Sequence, residues 1–142
     1  MSKGFVVKQS IAINAPVARV WDALVNPAMI KQYLFGTNTV SNWKVGSPIL
    51  FKGEWEGQAY EDKGVILRLE PERLLEYTYF SSFSKLPDKP ENYQTITIEL
   101  SGRETHTLLS LSQDNSPTRE AQEHSEQNWG MVLGTLKKLL EQ

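Results

Sequence analysis

The chain has 142 residues, with 15 basic and 17 acidic residues and no cysteine. This length suits one globular domain, residues 1–142, because the chain is too short to be divided comfortably into two independent hydrophobic cores. The lysines and arginines are scattered, so no basic stripe is present that would neutralise a phosphate backbone, and we expect no nucleic-acid partner.

The segments that would direct export or membrane insertion are not found in the sequence. The N-terminal region lacks an uninterrupted apolar stretch of signal-peptide length, and no later segment approaches the length of a membrane span. The lack of cysteine excludes disulfides, thiolate metal sites and cysteine nucleophiles. We therefore expect a cytoplasmic protein that does not interact with a membrane.

The first quarter of the chain predicts one strand and two short helices. Apolar residues alternate from Phe5 to Ile13, which indicates a strand with one buried face. After Pro16, apolar residues at helical spacing predict a short amphipathic helix that ends at Asn26 and Pro27. A second short helix is predicted from Ala28 to about Tyr33.

From Thr39 to Asn115 the pattern is that of a meander of antiparallel strands. Apolar residues share a parity within each of three runs: Ile49, Phe51 and Trp55, then Val65, Leu67 and Leu69, then Leu75, Tyr77 and Tyr79. Turns are predicted at Glu56-Gly57, Pro71-Glu72 and Ser101-Gly102, and the last two strands at Thr95 to Leu100 and Thr105 to Ser112.

Two further features complete the predicted order of elements. Ser81 to Asn92 contains two prolines and little apolar periodicity, which predicts a long surface loop able to gate a cavity. Ser116 and Pro117 are expected to be the N-cap and first residue of a long amphipathic helix. Its apolar stripe is predicted to contain Ala121, Ser125, Trp129, Val132, Leu136 and Leu139.

This order resembles the α+β helix-grip fold of START-like and birch-pollen-allergen-like proteins, the SRPBCC superfamily. Five segments are similar to the branch named for activators of the heat-shock-protein-90 ATPase: INAPVARVWDALVNP at 13–27, WKVGSPILFKGEWEG at 43–57, ERLLEYTYF at 72–80, PENYQTITIEL at 90–100 and NWGMVLGTLKKLLEQ at 128–142. The chain departs from the branch at Asn128, where glycine is frequent, and at Leu34-Phe35-Gly36, where many members carry tryptophan. The resemblance implies a curved antiparallel sheet around the long helix, with a cavity between them.

Eight residues are candidates for a ligand-binding cavity wall: Trp43, Phe51, Trp55, Tyr60, Tyr77, Tyr79, Trp129 and Leu133. Ordinary core packing is the alternative interpretation, because large rings bury area wherever they lie. The tyrosines favour a functional role, since a buried hydroxyl needs a hydrogen-bond partner, which a ligand or the backbone can supply.

Other chemistry-bearing residues give weaker patterns. His106 and His124 show no metal-ligand spacing, and no nucleotide-binding or nucleophilic-serine motif is present, so we expect neither a metal nor a cofactor. Glu54, Glu56, Glu61 and Asp62 form an acidic cluster around one hairpin, and strand alternation favours a solvated face for it.

Three functions remain open from the sequence. The first is binding of a small apolar or amphipathic molecule in the cavity. The second is a chaperone-interacting role, which the resemblance implies, although the eukaryotic co-chaperones carry an additional N-terminal domain that we do not expect in 142 residues. The third is a cyclase-like or hydratase-like enzyme using Glu54, Asp62 or Tyr79, for which the sequence supplies no acid–base pair.

Overall fold

The structure is a computed structural model that describes residues 4–102 and 104–142, except for the side chain of residue 55. Seven strands form one sheet: β1 Phe5–Ile13, β2 Asn38–Ser41, β3 Pro48–Trp55, β4 Gln58–Glu70, β5 Leu74–Tyr79, β6 Gln94–Gly102 and β7 Thr107–Ser116. The helices are α1 Val17–Val25, α2 Pro27–Tyr33 and α3 Arg119–Leu140, with a 3-10 turn at Pro90–Asn92.

The sheet is antiparallel and curved, with the strand order β1-β7-β6-β5-β4-β3-β2. Because β1 and β2 lie at opposite edges, α1 and α2 carry the chain from one edge of the sheet to the other. The long helix α3 packs on the sheet through Val132, Leu133, Leu136 and Leu140, all of which are buried. This is the arrangement that the helix-grip resemblance implies.

The β3–β4 hairpin follows the predicted turn. Trp55 pairs with Gln58, which leaves Glu56 and Gly57 as a two-residue loop. Both have positive φ angles, 50° and 79°, as expected for the tight turns that match strand twist.

Close backbone approach at Gly64 brings β5 against β4. A Cβ atom at this position would overlap the Thr78 carbonyl group, so only glycine fits there. The Val65 amide donates to the Thr78 hydroxyl at 2.9 Å instead of to a backbone carbonyl. Beyond this contact the residues after β5 continue along β4, where Phe80 pairs with Lys63.

The parity of Val65 and Leu67 does not mark the buried face of β4. Each of these residues is 39% exposed, whereas Ile66 is only 1% exposed. The inward-facing set is the even-numbered one, because Asp62, Gly64 and Ile66 are all buried. The strand itself was predicted, but its orientation was not.

Two predicted boundaries are wrong. Ser101 and Gly102 are the last residues of β6 and not a turn; Gly102 pairs with Thr107 and lies against Val17 of α1. Ser116 is not the N-cap of α3, because it ends β7 opposite Phe5 and is buried. The cap is Thr118, whose hydroxyl accepts a hydrogen bond from the Ala121 amide at 3.0 Å.

The segment predicted as a long loop does connect β5 to β6, with its 3-10 turn at the far end. It is tied down by Tyr93, whose hydroxyl donates to Asp88 at 2.6 Å, and by an ion pair between Lys63 and Asp88. None of the helices in the described ranges has both the length and the apolar character needed to cross a bilayer.

Candidate functional site

A cavity of about 490 Å³ opens between the inner face of the sheet and the first half of α3. Side chains from β3 to β7 form one wall, and His124, Ser125, Asn128, Trp129 and Val132 of α3 form the other. A deeper apolar void of about 40 Å³ adjoins it and shares Phe51, Tyr77 and Trp129 with it. The site is therefore apolar at its base and more polar toward its mouth.

The structure brings most of the predicted wall residues together. Phe51, Tyr60, Tyr77, Tyr79 and Trp129 line the large cavity. Trp43 and Leu133 line only the deeper void, next to the core. Trp55 belongs to β3, but its side chain lies outside the described part of the chain. A role for these residues in ligand binding stays a prediction.

The two departures from the family pattern both lie at this cavity. Leu34 and Phe35, from the loop after α2, contribute to its lining, as does Asn128 of α3. Phe35 is 61% exposed and has a positive φ angle of 52°. The residues at which this chain departs from the family pattern thus contribute to the lining of the cavity.

Tyr60 is positioned by a glycine on the neighbouring strand. It pairs with Gly53 across β3 and β4, and a Cβ atom on Gly53 would overlap the tyrosine ring. The ring can therefore lie over β3, and its hydroxyl is 2.6 Å from the hydroxyl of Thr37. One polar group of the mouth is held in place in this way.

Asp62 corrects the expectation that the acidic cluster is solvated. Glu54, Glu56 and Glu61 are exposed, but Asp62 is only 8% exposed and lines the cavity. Its carboxylate accepts hydrogen bonds from the Tyr79 hydroxyl at 2.6 Å and from the amide and hydroxyl of Ser82 at 2.8 and 3.1 Å. Its even-numbered parity with Tyr60 and Ile66 is the signal that would have placed it on the inner face.

Three tyrosines, Tyr33, Tyr77 and Tyr79, form what we call the buried tyrosine trio. Burial raises the pKa of each of them, and for Tyr79 the adjacent Asp62 carboxylate raises the pKa further. The Tyr33 hydroxyl donates to the Ala23 carbonyl at 2.8 Å. All three phenols are therefore neutral hydrogen-bonding groups at physiological pH.

Tyr77 differs from the other two members of the trio. It is 6% exposed and lines both the cavity and the deeper void. Its hydroxyl has no hydrogen-bond partner among the described residues. The hydroxyl is not a fully buried unpaired atom, because among the described residues only Thr39 Oγ1 is one. It is therefore reached from the cavity and is available to a molecule there.

Two glutamines form part of the wall that the sequence did not single out. The indole N–H of Trp129 donates to Gln113 at 2.5 Å, and the Gln113 amide donates to Gln94 at 2.8 Å. Gln113 shares the parity of Leu109 and Leu111 on β7, and this alternation would have identified it as inward-facing. The chain of bonds fixes the orientation of the Trp129 ring.

The charge of the lining is negative. Glu54 and Asp62 contribute carboxylates, His124 is the basic side chain of the lining, and no lysine or arginine from the described residues takes part. His106 precedes β7, and it lies exposed and outside the cavity. Residues 4–102 and 104–142 contain no cluster of side chains suited to a metal ion.

Comparisons with known proteins agree with this architecture. A solution structure of the protein ChR145 from Cytophaga hutchinsonii is 48% identical and superimposes with a TM-score of 0.85, covering 99% of this chain and 97% of that one. The Aha1 dimer from Colwellia psychrerythraea is 19% identical with a TM-score of 0.74, covering 97% of both chains. An HSP90 activator from Plasmodium falciparum is 18% identical with a TM-score of 0.77, again covering 97% of both chains, so these last two show the fold alone.

The sequence profile of one family covers nearly the whole chain. The search of curated proteins found no match to this chain. The profile described as activator of Hsp90 ATPase homolog 1-like protein matches residues 14–141, from the end of β1 to the end of α3. The chain therefore belongs to the family of activator of Hsp90 ATPase homolog 1-like proteins.

Proposed function

We propose that this protein binds a small amphipathic molecule in the cavity between the sheet and α3. The observation that carries the proposal is the Tyr77 hydroxyl, which lines the cavity wall on a largely buried side chain and has no hydrogen-bond partner among the described residues. A ligand with one polar group would satisfy it. The cavity volume of about 490 Å³ lies within the range that is usual for small-molecule sites.

The two ends of the cavity suit the two ends of such a molecule. Phe51, Val132 and Trp129 give an apolar surface near the base, where burial of hydrocarbon supplies affinity. Asp62 and Tyr79 give fixed polar groups nearer the loop that follows β5. The hydrogen bonds from Ser82 hold this polar end in place before a ligand arrives, which lowers the entropy cost of binding.

Binding fits these groups better than catalysis does. A general acid works best with a pKa near the operating pH, whereas burial and Asp62 raise the pKa of Tyr79. The Tyr79 proton is also already donated to Asp62. Glu54, the other carboxylate of the lining, is exposed at the mouth. The enzyme alternative therefore has no pair poised for proton transfer within the described residues.

The first experiment is native mass spectrometry of freshly purified protein, followed by solvent extraction of any bound molecule. Ser125→Phe places a large ring on the cavity wall, and Gln127→Phe places the same ring on an exposed position of the same helix. We expect a small molecule to co-purify with the wild type and with Gln127→Phe, but not with Ser125→Phe. Equal retention by both variants would show that the ligand lies elsewhere.

The alternative is interaction with a chaperone, which the family description and two exposed rings at the mouth favour. Phe35 and Phe83 are 61% and 45% exposed. An empty protein that stimulates the ATPase of the Hsp90-type chaperone from the same organism would replace our proposal with this one. In either role we expect the cytoplasm as the compartment, since the chain has no cysteine.

A further inference from the structure

We infer that the ligand of this cavity is an amphipathic amine, whose protonated nitrogen binds at Asp62 and Tyr79 while its apolar body lies against Phe51 and Trp129. The inference rests on the proposed binding function and adds the chemical class of the ligand. It follows from the charge, the open hydrogen-bond positions and the aromatic content of the cavity.

The Asp62 carboxylate is buried and has no counter-charge among the residues that the structure describes. It is 8% exposed, and no basic side chain of the described residues lies within ion-pair distance of it. Its three partners are neutral donors from Tyr79 and Ser82. Buried charges in proteins are normally paired, so a cation in the cavity would complete this site.

The carboxylate also has room for one more donor. Ionised carboxylates offer about four acceptor positions. Oδ1 of Asp62 accepts two hydrogen bonds from Ser82, and Oδ2 accepts one from Tyr79. One position on Oδ2 remains open, and it belongs to the oxygen that bonds to the cavity-lining Tyr79.

The neighbouring phenols supply acceptors for the remaining protons of an ammonium group. The Tyr79 hydroxyl donates its own proton to Asp62 and accepts from the Ser81 side chain, which leaves one lone pair on its oxygen, and the Tyr77 oxygen has no partner among the described residues. An ammonium group has three N–H donors and no acceptor, so it matches a set consisting of one carboxylate and two phenol oxygens. A carboxylic acid ligand would instead place a second negative charge beside Asp62.

Aromatic rings line the cavity beside these phenols. The Phe51 ring lies 5.7 Å from that of Tyr77 and 6.0 Å from that of Tyr79, and Tyr60 and Phe83 form a second pair at 6.0 Å. Aromatic faces attract cations, most strongly where water is excluded. The lining has two carboxylates and, within the part of the chain that is described, His124 as its basic side chain and no lysine or arginine to repel a cation.

The test uses three probes with the same apolar body: phenylbutylamine, phenylbutanol and phenylbutyric acid. Their dissociation constants are measured at neutral pH by calorimetry on the wild type, on Asp62→Asn and on Glu61→Gln. The two variants remove one negative charge from neighbouring positions of β4. Glu61, however, faces solvent and pairs with Lys52 on the outer side of the sheet.

For the wild type we expect the amine to bind on the order of tenfold more tightly than the alcohol, and the acid to bind more weakly than both. Asp62→Asn should remove most of the preference for the amine, while Glu61→Gln should keep it. The alcohol serves as the internal control for an intact cavity, and the wild-type ratio decides the question even if Asp62→Asn does not fold.

Two results would overturn the inference in different ways. If the alcohol binds and the amine binds no more tightly, or if Asp62→Asn keeps the preference, the ligand class is wrong while the binding function stands. If none of the three probes binds to folded wild-type protein, the binding function fails together with the inference.

Discussion

Removing the hydroxyl from Tyr79 should lower the stability of the fold, whereas removing it from Tyr77 should not. The two residues lie two positions apart on the same face of β5. Replacing either of them with phenylalanine removes one hydroxyl group, so the two variants are chemically matched. Tyr79→Phe breaks a bond of 2.6 Å to a buried carboxylate. Tyr77→Phe breaks none that the described residues make.

The structure sets the size of the expected difference. A hydrogen bond to a charged group contributes about 1.5–3 kcal/mol, so Tyr79→Phe should lower the free energy of unfolding by about 2 kcal/mol. Tyr77→Phe removes a cavity-facing hydroxyl without a partner among the described residues and should leave the free energy of unfolding unchanged or raise it by up to about 1 kcal/mol. With a typical urea m-value of about 2 kcal/mol/M, the Tyr79→Phe midpoint should fall by about 1 M.

Urea unfolding followed by circular dichroism measures both variants, with Tyr93→Phe as the surface control. Tyr93 also donates to a carboxylate, at 2.6 Å, but this bond to Asp88 is exposed. We expect its loss to change the free energy of unfolding by less than about 0.5 kcal/mol. If Tyr77→Phe and Tyr79→Phe destabilised the protein equally, the assignment of a paired and an unpaired hydroxyl would be refuted.

Two other predictions concern pH and glycine. The buried tyrosine trio has raised pKa values, so above about pH 10 the unfolded chain loses these protons while the folded chain keeps them. The free energy of unfolding should therefore fall above pH 10, by up to about 4 kcal/mol per pH unit for the three groups. Unfolding measured over a series of alkaline pH values tests this. Replacing the trio by phenylalanine should flatten this slope, and an unchanged slope would contradict the prediction. Gly64→Ala should destabilise the protein strongly because its Cβ meets the Thr78 carbonyl, whereas Gly134→Ala, with open space in the middle of α3, should raise the free energy of unfolding by about 0.5–1 kcal/mol. A thermal melt in which both glycine variants shift in the same direction would argue against the close approach at Gly64.

The element order could be predicted because its signals are local. Period-two alternation marked β1, helical spacing marked α1 and α3, and Gly57 marked the turn that it forms with Glu56. The N-cap of α3 was misplaced because Ser116 satisfies the local capping rule as well as Thr118 does. Pairing of Ser116 with Phe5, more than a hundred residues away in sequence, extends β7 beyond the predicted end.

The aromatic residues of the cavity could be predicted from the sequence, but the burial of Asp62 could not, because it depends on long-range contacts. The aromatic wall followed from parity and from the family resemblance, and the structure brings Phe51, Tyr77 and Trp129 together. Asp62 was assigned to solvent because acidic residues on strands usually lie outside. Its burial depends on Ser82 and Tyr79, which come from other parts of the chain and supply the hydrogen bonds that make a buried carboxylate tolerable.

By itself, the sequence determined the family, the order of strands and helices, and the aromatic set from which the cavity is built. These follow from residue types and short-range periodicity, which act within a few residues of the chain. Only the tertiary structure decided that Asp62 is buried away from every described basic side chain, that the Tyr77 hydroxyl lacks a partner among the described residues, and that Gln113 orients Trp129. These properties depend on contacts between residues that are distant in sequence, and strand pairing and the packing of α3 on the sheet determine those contacts.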